Sequence, residues 1–132
     1  MQSPVHLVCE SSAFPPAPGE DDETNPGIYG RALTEWLAEQ LRSAGYEVKR
    51  LVAEDFGRLI EVVHPGCKLY AAVSSTDDSA TQWRVFAFSE FGLFAKLKGS
   101  PGGAEAVAKL MAALKSILAK HPEIRSLREE PA

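Results

Sequence analysis

The chain has 132 residues, 45% of them apolar and 24% charged, and a formal net charge of −4. That length fits one domain that buries about two-thirds of its unfolded surface, and the composition is globular enough to need no disulfide or metal staple. No run approaches the ~20 apolar residues of a membrane span, and the opening MQSPVHLVCESS lacks the segments of a signal peptide, so the expected setting is cytoplasmic.

The charge is uneven: residues 1–57 carry ten acids against four bases, and residues 96–132 carry four against seven. Those bases are spread along the chain and not clustered, which argues against a nucleic-acid partner.

Residues 5–9 alternate Val5, Leu7 and Cys9 with His6 and Val8, the period of a strand. The following SSAFPPAPGEDDE reads as a long loop, unusual inside a compact domain and therefore either functional or mobile. Its acidic end, residues 20–23, abuts a predicted helix over 24–45, where negative charge complements the helix dipole. Thr24 or Asn25 is the expected N-cap and Gly45 the left-handed C-cap; Tyr29, Leu33, Trp36, Leu37, Leu41 and Ala44 form the apolar stripe.

Strands are then expected over 46–52, 59–63, 68–74 and 82–89, with turns at EDFG and HPGC and a polar loop at STDDSAT. Residues 91–98 extend the last strand or form a sixth. GSPGG precedes a second helix over 104–120, and 122–132 reads as a partly ordered tail. The expected fold is a single α+β domain of order β-α-β-β-β-β-α: an antiparallel sheet of about five strands with two helices packed on one face.

The strands are apolar on both sides. Trp83, Val85 and Ala87 share one face while Phe86 and Phe88 share the other, and Tyr70 and Ala72 oppose Leu69, Ala71 and Val73. Two helices cover one face only. The second is expected to be covered by residues 11–23 and 122–132 folding back, or to meet a partner or a second copy of the chain.

Chemistry-bearing constellations are few. His64 and Cys67 share a turn, but no second pair has ligand spacing, so no metal or cofactor is expected. Cys9 and Cys67 are expected to be reduced. Glu54 and Asp55 beside Phe56 make a candidate binding spot, although turn chemistry alone selects Asp and Gly there.

The stretch TNPGIYGRALTEWLAEQLRSAGYEV followed by AEDFGRLIEV, within residues 24–63, resembles a pattern in small uncharacterised bacterial proteins of about this length. The resemblance implies a bacterial cytoplasmic α+β protein and carries no activity.

The leading expectation is a non-catalytic protein-binding module, of immunity-protein, antitoxin or chaperone type. Acidic surface would steer a basic partner, with Trp83 as anchor and Tyr29, Glu54, Asp55, Phe56 and Tyr70 as further contact candidates. One alternative is a small-molecule or enzymatic domain with a pocket between helix 24–45 and the sheet, lined by Tyr29, Trp36, Phe56 and Trp83. The other is a homodimeric scaffold using the second sheet face.

Overall fold

The computed structural model describes residues 5–76, 80–90 and 102–131. Six strands form one antiparallel sheet: β1 (Val5–Glu10), β2 (Val48–Glu54), β3 (Gly57–Val62), β4 (Lys68–Ser75), β5 (Gln82–Glu90) and β6 (Arg125–Pro131). Their order is β2-β3-β4-β5-β1-β6, so the expected meander is present and β1 lies beyond it, between β5 and β6. Among the described residues the helices are α1 (Arg31–Ser43) and α2 (Gly102–Ala119), with a 3-10 turn at Glu20–Asp22. The expected extension over 91–98 and the Asp77–Asp78 loop tip fall outside the described residues.

Both helices pack on one face. Leu33, Leu37 and Leu41 of α1 and Leu110, Leu114 and Leu118 of α2 join Leu7, Ile60, Val62, Leu69, Val73, Trp83 and Val85 in one buried cluster. The strand residues are those that alternation assigns to one side.

The first helix starts seven residues later than expected because its cap is not local. Glu20, buried on the 3-10 turn, accepts hydrogen bonds through Oε2 from the backbone N–H groups of Gly30 and Arg31, both at 3.1 Å. Its Oε1 accepts from Ala17 N at 2.8 Å. The C-terminus ends as expected: Gly45 has φ 98°, Tyr46 N donates to Leu41 O at 2.9 Å and Gly45 N to Arg42 O at 3.0 Å, the paired bonds of a Schellman cap.

Two expectations about coverage are corrected. Residues 11–23 do not cross the second sheet face. They carry the chain from β1 to the start of α1 on the helix side, and Phe14 packs there with ring centroids 5.7 Å from Trp36 and 5.4 Å from His121. The supposed tail is β6, paired along β1 from Val5↔Pro131 to Glu10↔Arg125. Its order comes from a backbone ladder, which needs no apolar pattern.

Candidate functional site

The sheet face opposite the two described helices is built by alternate strand residues, and aromatic rings make up about half of its apolar cluster. Leu59, Tyr70 and Ala72 are buried in a second cluster with Val52, Phe86 and Phe88 half-buried against them, every member contributed by a strand. His6 of β1 lies flat on Phe86, with centroids 4.0 Å apart and planes 11° from parallel. Phe86 and Phe88 are 6.0 Å apart, and Phe88 stacks on Tyr70 at 5.0 Å and 21°. The row therefore runs from β1 across β5 to β4, an arrangement set by the registers His6 beside Phe86 and Tyr70↔Phe88.

Charged groups flank this row. Arg84 Nη1 donates to His6 Nδ1 at 2.8 Å, which requires the neutral ring with its proton on Nε2. Burial and the Arg84 charge both lower the His6 pKa from its ordinary 6.5. On the opposite flank the buried Glu61 accepts from Arg50 Nε at 2.6 Å, and Lys49 Nζ stands 3.7 Å away. The Arg50 bond, aided by the Arg50 and Lys49 charges, holds the Glu61 carboxyl below its ordinary range against the opposing effect of burial. Burial, with the nearby Glu61 and Glu90 charges, pushes the Tyr70 hydroxyl up. By register and ion pairing, this face carries Lys49, Arg50, Lys68, Arg84 and Arg128 as bases and Glu10, Glu54, Glu61, Glu90 and Glu130 as acids. It is balanced in charge.

The residues singled out from the sequence do not converge. Trp83 is fully enclosed on the helix side, its Nε1 donating to Ser11 O at 3.0 Å, which removes it from any contact surface. Tyr29 packs against the same core, its N–H donating to Ser75 Oγ at 3.0 Å. Glu54, Asp55 and Phe56 lie at the β2–β3 hairpin tip, exposed, with Asp55 O accepting from Asn25 N at 2.9 Å. Of the six, Tyr70 belongs to the aromatic row, and Glu54 lies on the same sheet face at the hairpin tip, in alternation with Arg50 and Val52. His6 and Arg84 escape sequence reading because their pairing joins strands far apart in the chain. Phe86 and Phe88 were visible by alternation.

The expected pocket shared by Tyr29, Trp36, Phe56 and Trp83 does not form. Trp36 instead borders a groove of about 410 Å³ between the two helices, with Gln40, Ser43, Ile117 and His121. A cleft of about 210 Å³ lies between the start of α1 and β2, lined by Arg31, Thr34, Leu51, Ala53 and Arg58 among others.

Cys67 and His64 do meet, with Sγ 3.6 Å from Nδ1, and Gly66 N donates to the same nitrogen at 3.1 Å. Burial raises the Cys67 pKa, favouring the thiol over the thiolate that metals and nucleophilic chemistry need. Cys9 is pushed up to about 11, by burial against the opposing Arg128 charge. No group of three or more His, Cys, Asp or Glu side chains among the described residues is placed to hold a metal ion. No described helix is long and apolar enough to cross a membrane.

No family model, no curated protein and no solved structure matches the chain.

Proposed function

We propose that this chain is a non-catalytic protein-binding module whose docking surface is the sheet face opposite the two described helices. The observation that carries this reading is the aromatic row His6–Phe86–Phe88–Tyr70, built by strands alone and bordered by balanced charge. Rigid aromatic side chains supply large contact area at small entropic cost, and a polar rim supplies orientation, which is the composition of a protein interface core. A balanced rim suits a protein surface better than a polyphosphate. The acidic excess in residues 1–57 would steer a basic partner toward the molecule. An inhibitor of a basic enzyme, as immunity proteins and antitoxins are, fits that description.

A photo-crosslinking side chain placed at Phe88 tests the reading in cells of the source organism. The expected result is one discrete crosslinked protein, absent when the same group sits at the exposed Lys109 of α2. Equal labelling from both positions, or none from Phe88, overturns it.

A further inference from the structure

We infer that the outer edge of β2 is a self-pairing surface, joining two copies of the chain by antiparallel β2–β2 contact about a two-fold axis at Val52. Among the described residues the sheet ends in two strands, β2 and β6, and they differ as edges. Edge strands are normally blunted by irregular backbone, proline and charge. β6 has all three: Ser126 at φ 55°, Pro131 at its end, and Arg125, Arg128, Glu129 and Glu130 along it. β2 has no proline; it carries Lys49, Arg50 and Glu54 and one irregularity, a register shift between Val48 and Arg50, and then runs regularly from Arg50 to Glu54.

That regular stretch is self-complementary. A two-residue turn closes the hairpin at Glu54↔Gly57, so Glu54, Val52 and Arg50 direct their backbone groups to β3. Leu51 and Ala53 then direct theirs outward. Antiparallel pairing of two copies must match outward groups with outward groups. The register centred on Val52 does so, placing Leu51 opposite Ala53 of the second copy. It also places Arg50 opposite Glu54, twice over, and directs Lys49 toward Asp55. Shifting the centre to Leu51 sets Arg50 against Val52 and loses both charge matches. Cross-strand opposite charges stabilise a pair and like charges destabilise it.

Shape agrees with charge. Leu51 is 42% exposed, a large apolar side chain on a sheet edge. Its cross-strand neighbour in this register is the small Ala53, which lines the cleft of about 210 Å³ beside α1. Each copy thus offers a knob and a recess to the other. A two-fold axis perpendicular to the sheet keeps both helix layers on one side, so the aromatic rows of the two copies face the same way. The inference stands independently of what that face binds.

Sedimentation equilibrium of the full chain should show a monomer–dimer equilibrium, and Glu54→Lys should weaken it at least about tenfold by setting like charges opposite Arg50. Val52→Cys supplies a second readout, because a non-hydrogen-bonded pair on the axis sits within disulfide reach. With Cys67→Ser as background, Val52→Cys should form a covalent dimer on mild oxidation while Glu54→Cys, displaced from its own copy, should not. A monomer at every concentration overturns the inference, even if a foreign strand occupies the edge. So does a dimer that survives Glu54→Lys but dissociates on Phe86→Lys, which would place the contact on the aromatic face.

Discussion

On the helix side of the sheet, Ile60, Val73 and Val85 meet Leu37, Leu114 and Leu118 across a layer whose members are almost completely enclosed. On the other side, Phe88 stacks on Tyr70 and tilts against Phe86, in one row along the sheet. The first arrangement maximises contact between layers and holds the fold together. The second sets half-buried Phe86 and Phe88 beside the buried Tyr70. One apolar face therefore specifies structure, and the other keeps half-buried aromatic surface, which is the surface proposed above to meet a partner.

The sharpest way to break the contrast is on the helix side. Trp83→Ala removes a fully buried ring and its bond to Ser11 O, and should cost about 4 kcal/mol in denaturant unfolding. Glu20→Ala comes next. It leaves two N–H donors at the start of α1 without their shared acceptor and Arg58, 8% exposed, without its buried counter-charge 3.9 Å away, for a loss of about 3 kcal/mol. Glu20→Gln keeps an acceptor oxygen and should recover part of that loss, which the same unfolding titration reads.

On the aromatic face the effects should be smaller. Phe86→Ser breaks the stack with His6 but empties no enclosed site, and should cost about 1 kcal/mol. The smallest effect is one of pH. The folded state lowers the His6 pKa, so folding is penalised once the unfolded ring takes up a proton and the folded ring resists it. The His6 contribution is complete above 6.5 and is lost as pH falls from there through the folded value. Unfolding curves in that acid window should show the wild type losing stability that His6→Gln retains.

Strand alternation made both faces legible, because burial at every second residue leaves the same signature whichever layer covers it. Alternation could not say which face the helices take, nor that Trp83 is enclosed. An aromatic in a strand reads alike on either side, and here the deciding contact is a backbone carbonyl 72 positions away. The start of α1 is hidden for a similar reason: Thr24 and Asn25 have capping side chains, but Glu20 reaches the Gly30 and Arg31 amides across the loop. β6 was hidden because RSLREEP has no apolar period. The long loop after β1 reflects topology, since it must cross the helix side from one part of the sheet to another.

The separation of roles is tested most directly by Phe86→Ser/Phe88→Ser, compared with wild type for thermal unfolding and for recovery of a bound protein from the source lysate. The account predicts a cooperative transition shifted far less than that of Trp83→Ala, together with loss of the protein that the wild type retains. A variant that unfolds like Trp83→Ala, or that retains the same protein as the wild type, would contradict it.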